Sequence, residues 1–189
     1  ETLYSKHDAT KAGYRRELKS ALSYDSFKKV FAYFCFISYA QGKIEFSYDE
    51  LVANFKKVII NKVSFEIDNY IADLVDSLWV LYKEGINYKF THRSFQEFFS
   101  SFFLRELSDE SMEQMGKQLI ARDAYRASHD SVFDMLYDMA EDRFEKNILL
   151  PVLEDFEREC SIDKYDFYLE RLVNEITFDV GHDTDQILL

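Results

Sequence analysis

Apolar residues recur at a helical interval up to residue 74, then give way to two β-rich runs, and then return to the helical interval, and these changes of period delimit the elements. From Asp25 to Ala40, Phe27, Val30, Phe31, Phe34 and Ile37 follow the helical repeat. Tyr33, Cys35, Phe36 and Tyr39 make the opposite side apolar as well, and a helix apolar nearly all round belongs at a domain centre. Gly42 is its expected stop. Ser47-Tyr48-Asp49-Glu50 is an S-x-x-E capping box, with Phe46 and Leu51 placed as its hydrophobic staple. It predicts a helix to about Ile60 that turns Leu51, Phe55, Val58 and Ile59 inward. A third helix is predicted from about Glu66, with Ile67, Tyr70, Ile71 and Leu74 on one side.

Trp79-Val80-Leu81-Tyr82 and Ile86-Asn87-Tyr88-Lys89-Phe90 are β-rich runs flanking Lys83-Glu84-Gly85, so a hairpin is predicted with glycine supplying the turn. The next helix begins after Thr91-His92-Arg93-Ser94. It places Phe95, Phe98, Phe99, Phe102 and Phe103 at the spacing of a single buried stripe. Gln96 and Glu97 fall off that stripe, and Glu97 is positioned to close a capping box from Ser94. Three helices followed by a hairpin predict a winged helix over residues 24–105. Beyond residue 106 helical hairpins are predicted on four groups: Met112, Met115 and Leu119; Val132, Met135, Leu136 and Met139; Leu149, Val152, Leu153 and Phe156; and Tyr165, Leu169, Leu172 and Ile176. Pro151 suits the first turn of the third group. The run from Gly181 to Asp185 lacks apolar periodicity and is expected to fray. The predicted fold class is therefore mainly α, a winged-helix domain followed by an α-helical domain.

Composition sharpens this in two ways. One proline and five glycines leave few interruptions to helix. Charge divides the chain: residues 1–105 carry 15 basic against 13 acidic side chains, whereas residues 106–189 carry 8 against 22, a net of −14 in the second part. A field that negative repels phosphodiester backbones. With glutamate first and no methionine before Met112, the chain reads as a segment of a longer polypeptide. No apolar run approaches the roughly 20 residues of a membrane span, and the expected setting is soluble and cytoplasmic.

Candidate chemistry is sparse. The glycines, at 13, 42, 85, 116 and 181, never cluster, so the chain by itself offers neither a P-loop nor a dinucleotide fingerprint. Cys35 and Cys160 lack zinc-ligand spacing, and His7, His129 and His182 share no spacing that would bind a metal. Acid pairs such as Asp138 with Glu141 or Asp142, and the run from Glu154 to Glu159, lie on helices that already need polar faces, and no catalytic residue is assigned. His92 stands where a strand runs into a helix. Its imidazole there can be a structural hydrogen-bonder or can donate to an anion that the helix N terminus also favours. Arg93 is a secondary candidate for the same anion. Lys6, Lys11, Arg15, Arg16 and Lys19 form a basic cluster, which makes a nucleic-acid-binding winged helix the alternative reading. Against it, Asp68, Asp73 and Asp76 place three acids on the would-be recognition helix.

The run Phe90, His92, Ser94, Phe95, Gln96, Glu97, Phe98 and Phe99, with Ser100-Ser101 following, resembles the "F-x-H-x-S-F-Q-E-F/Y-F/L-A-A" signature that closes the winged helix of NACHT-type signalling NTPases of the STAND class. Lys6-His7-Asp8, Gly13-Tyr14-Arg15-Arg16-Glu17 and Val30-Phe31-Ala32-Tyr33-Phe34-Cys35-Phe36 look like the approach to the same domain in bacterial members. The resemblance extends over residues 6 to 105. It implies that residues 1–23 connect from an upstream nucleotide-binding region and that 24–105 are the winged helix, while the charge division and helical period set 106–189 apart as an acidic helical domain. It implies that the winged helix packs on an NTPase domain of the same polypeptide loaded with ADP, with ATP and Mg as the other bound state, and that His92 meets the β-phosphate. Self-oligomerisation on nucleotide exchange and a role in antiphage or immune-type defence are further implications. No enzymatic activity is expected of this chain alone.

Overall fold

The computed structural model describes residues 18–59, 64–122 and 129–160. Within them the protein is mainly helical, with a small three-stranded antiparallel sheet. The chain divides into two compact units, residues 1–148 and 149–189.

Helix α1, Tyr24–Ala40, begins where the Ser23 side chain accepts from the Ser26 amide at 3.2 Å. Its apolar girth places it centrally, as expected, and the structure divides that girth between two cores. Phe27, Val30, Phe31, Phe34 and Cys35 enter the first, while Phe36 and Tyr39 enter the second. The helix closes at Gly42, whose φ of +69° suits a residue without Cβ. Lys43 N–H reaches back to the Ser38 carbonyl and Gly42 N–H to that of Tyr39, both at 2.9 Å, which satisfies carbonyls the helix end would leave open.

Helix α2, Tyr48–Ile59, starts on the predicted box: Ser47 N–H donates to Glu50 Oε2 at 2.8 Å and Glu50 N–H to Ser47 Oγ at 3.3 Å. The staple residues Phe46 and Leu51 are both fully buried. What periodicity missed is that Glu45–Ser47 is a strand, β1, too short to alternate visibly. Helix α3, Ile67–Ala72, continues into a π turn at Asp73–Ser77. The Asp73 carboxylate is fully buried and accepts the Lys19 and Ser20 amides at 2.8 and 2.9 Å. It therefore ties the segment ahead of α1 to the end of α3, and is no surface acid.

The predicted hairpin exists with its turn displaced. Strands β2, Leu81–Glu84, and β3, Asn87–Phe90, are joined by Gly85-Ile86, not by Lys83-Glu84-Gly85. Gly85, at φ +62°, takes the first turn position. Trp79, at φ +56°, bends the chain before β2 and keeps residues 79 and 80 out of the strand. The sheet order is β1-β3-β2, with Phe46 opposite Tyr88 and Leu81 opposite Phe90. Phe46, Leu81 and Phe90 point from it into the first core.

Helix α4, Arg93–Arg105, corrects a second expectation. Its phenylalanines do not form one buried stripe: Phe102 is buried, Phe95 and Phe99 pack on the first core from half-buried positions, Phe103 does so on the second, and Phe98 is exposed. The buried residues of the helix are Gln96, Glu97, Ser100, Ser101, Phe102 and Leu104, most of them polar. Small serines let neighbouring helices approach on both sides. Ser100 Oγ donates to the Gln96 carbonyl at 2.6 Å, and Ser101 Oγ contacts the Glu97 and Val132 carbonyls at 2.9 and 2.7 Å.

Helices α5, Asp109–Arg122, and α6, Val132–Phe144, complete the second core with Met112, Val132, Leu136 and, from the following π turn, Ile148. Leu104 and Met112 share that core, so the change of charge near residue 106 lies inside the first unit. Arg143 stitches it by donating to the Arg105 and Leu107 carbonyls at 2.6 and 2.7 Å. In the second unit, helix α7, Leu150–Cys160, carries Pro151 in its first turn as predicted. The helix predicted on Tyr165–Ile176, the tail, and Lys6, Lys11, Arg15 and Arg16 lie outside the described residues, as do His7 and His182.

Candidate functional site

Sheet and helix meet at Thr91-His92-Arg93-Ser94, and all four residues are exposed. Thr91 N–H donates to the Val80 carbonyl at 3.0 Å and its hydroxyl to the Trp79 carbonyl at 2.6 Å. His92 follows in extended conformation as the N-cap of α4, making no side-chain cap hydrogen bond, while its carbonyl accepts the Phe95 amide at 3.0 Å. The imidazole centroid lies 5.9 Å from that of the Phe95 ring, tilted by 48°, and the residue is exposed to solvent. An imidazole so placed can donate to an anion in front of the helix N terminus.

The neighbours of His92 do other work. Arg93 Nε sits 3.0 Å from Glu97 Oε1, and its Nη2 lies 4.0 Å from Asp130 Oδ2, on a side chain only 2% exposed. Its charge is thus committed between two carboxylates, which would compete with any phosphate. Glu97 does not close a box from Ser94: the cap falls at His92, and the carboxylate turns to Arg93 across one helical turn. Gln96 is 2% exposed, and its side-chain amide donates to Ser38 Oγ at 2.9 Å and to the Lys43 carbonyl at 2.8 Å. Within the motif, then, His92 is presented outward while Gln96 fastens α4 to α1 and to the loop after it.

An open groove of about 560 Å³ lies at the other end of α4, lined by Arg105, Glu106, Met139, Ala140, Glu141, Asp142 and Arg143. Its cations are matched, Arg105 by Glu106 and Arg143 by Asp109, each at 2.8 Å. That leaves no concentrated positive field to hold an anion, and the groove and the His92 junction are separate places. Among the described residues no cluster of three His, Cys, Asp or Glu could hold a metal, and no helix is long and apolar enough to cross a membrane. Burial pushes the Cys35 thiol well up, which keeps it protonated and unreactive.

The acids of α3 and its π turn are also engaged: Asp68 accepts from the Tyr48 hydroxyl, and Asp76 pairs with Lys19 at 3.1 Å. Sequence reasoning missed Trp79, 68% exposed beside Thr91, because nothing local marks a tryptophan for a left-handed backbone. It also missed Gln96 as a buried tie, since a glutamine four residues into a helix is ordinarily read as surface. In comparisons with known proteins the chain matches no family model, no curated protein and no solved structure.

Proposed function

We propose that this chain is the regulatory winged-helix and helical region of a NACHT-type STAND NTPase. In this reading the winged helix rests on an upstream NTPase domain of the same polypeptide while ADP is bound there, and His92 meets the diphosphate. Exchange for ATP with Mg removes that contact, frees the winged helix to swing, and exposes surfaces for self-assembly. The signal is one of cytoplasmic antiphage or immune-type defence, and residues 106–189 link the switch to a sensor. The reaction chemistry belongs to the upstream domain.

One observation carries the reading: His92 is exposed at the N terminus of a 13-residue helix, where its imidazole can reach an external anion. Gln96 is committed inside and Arg93 to its carboxylates. The element order α1-β1-α2-α3-β2-β3 with sheet order β1-β3-β2 supports the winged-helix assignment. Switching requires only that ADP favour the closed arrangement by a few kcal/mol.

The test is nucleotide retention in the polypeptide extended upstream of Glu1. His92→Leu should release bound ADP faster and give activity without a trigger. Unchanged retention, or an upstream region that binds no nucleotide, overturns the proposal. Retardation of duplex DNA by the chain at physiological salt would favour the nucleic-acid alternative instead, against the acids around α3.

A further inference from the structure

Trp79 combines two properties that rarely coincide. Its φ of +56° lies where a bulky side chain crowds its own backbone, and its indole is 68% exposed, so little burial offsets the strain. The backbone is nonetheless held on both sides. Leu78 N–H donates to the Asp73 carbonyl at 2.9 Å and Val80 N–H to the Leu74 carbonyl at 3.0 Å, which anchors the bend on the π turn. Bent this way, the chain offers two successive carbonyls, Trp79 and Val80, to a single residue across the hairpin. Thr91 takes both, by its hydroxyl at 2.6 Å and its amide at 3.0 Å.

The residue after Thr91 is His92. An amide bond alone would survive any substitution except proline and would leave the junction free to pivot about one point. The hydroxyl adds a second point, and two bonds to adjacent carbonyls fix the orientation of Thr91, the residue to which His92 is joined. We propose that Thr91 is a positioning residue for His92, and that the left-handed bend at Trp79 exists to present the carbonyl which completes this clasp. The inference rests on the reading of His92 as the diphosphate contact for its functional meaning, though the clasp can be tested without it.

The measurement is NMR of the chain labelled at histidine, with His92 assigned by loss of its signal in H92Q. Thr91→Val, which keeps shape and removes the donor, should shift the His92 ring signals and leave those of His129 in place. Thr91→Ser should restore them, and Thr91→Ala should repeat the valine result should the valine variant fold poorly. The emission of Trp79, the one tryptophan in the chain, should follow the same pattern. His92 signals unmoved in the valine and alanine variants, serine behaving like valine, or His129 moving equally would each overturn the clasp. In the nucleotide-bearing polypeptide, loss of this one hydrogen bond should speed ADP release about fivefold. An inert H92L there, with the His92 ring still displaced by T91V, would sink the nucleotide reading and leave the clasp standing.

Discussion

Replacing Gln96 with leucine isolates the structural half of the motif from its outward-facing half. The side-chain amide donates to Ser38 Oγ and to the Lys43 carbonyl, at 2.9 and 2.8 Å, from a site that is 2% exposed. Ser38 keeps its own donation to the Cys35 carbonyl at 2.9 Å and loses only an accepted bond. The Lys43 carbonyl loses its side-chain donor in a part-buried loop. An orphaned buried polar group costs about 1–3 kcal/mol, and a leucine of similar volume returns part of that through apolar burial. A net loss of about 2 kcal/mol follows, or a Tm lower by about 4–8 °C for a chain of this size. Gln96→Glu should be worse at neutral pH, because a carboxylate then faces the Lys43 carbonyl, and should recover as acid protonates it. Urea unfolding followed by far-UV circular dichroism and by Trp79 emission reads both. A midpoint for Q96L within about 0.5 kcal/mol of wild type, at unchanged m, would refute the assignment of Gln96 as the tie between α4 and α1.

Two further outcomes follow from the packing and the charge pairs. Gly116→Ala should destabilise by about 1–3 kcal/mol despite alanine's better helix propensity, because the added Cβ would lie 2.7 Å from Ile148 Cγ1 in a fully buried spot; the double variant with Ile148→Val should recover part of the loss, and an alanine variant as stable as wild type in thermal melts would contradict the close approach. The Lys43 ammonium, and then the Ser47 amide, hold the Glu50 carboxyl down to about 2. Because this folded value lies below the ordinary 4.5, the pair's contribution is complete above that ordinary value and is lost as pH falls through about 2. Glu50→Gln keeps the capping box but should flatten that acid limb, and identical acid profiles for the two proteins would remove the pair as a cause.

Much of the first unit was readable locally because its signals are local. A capping box needs only Ser47 and Glu50, three residues apart, and the stop of α1 needs only a glycine free to adopt φ +69° at residue 42. The apolar girth of α1 announced a helix enclosed on all sides, and it serves both cores. The candidate site was legible as a place, the strand-to-helix junction at residues 91–94, but not as a division of labour. Nothing in the order of residues says that Gln96 turns in and His92 out, since both are polar and the distinction depends on where Ser38 and Lys43 arrive.

By itself, then, the sequence determined the mainly helical class, the positions of α1 and α2, the presence of a hairpin, and the place of the strand-to-helix junction, because hydrophobic period and turn chemistry act over a few residues. Tertiary structure decided what depends on distant partners. It paired the brief β1 with β3, and it sent Phe95 and Phe99 to one core and Phe103 to the other while burying Ser100 and Ser101. It buried Asp73 under the Lys19 and Ser20 amides, and it held Trp79 in a conformation its own residue type disfavours. In each case a long-range hydrogen bond or a packed neighbour outweighed a local preference worth only about 1 kcal/mol.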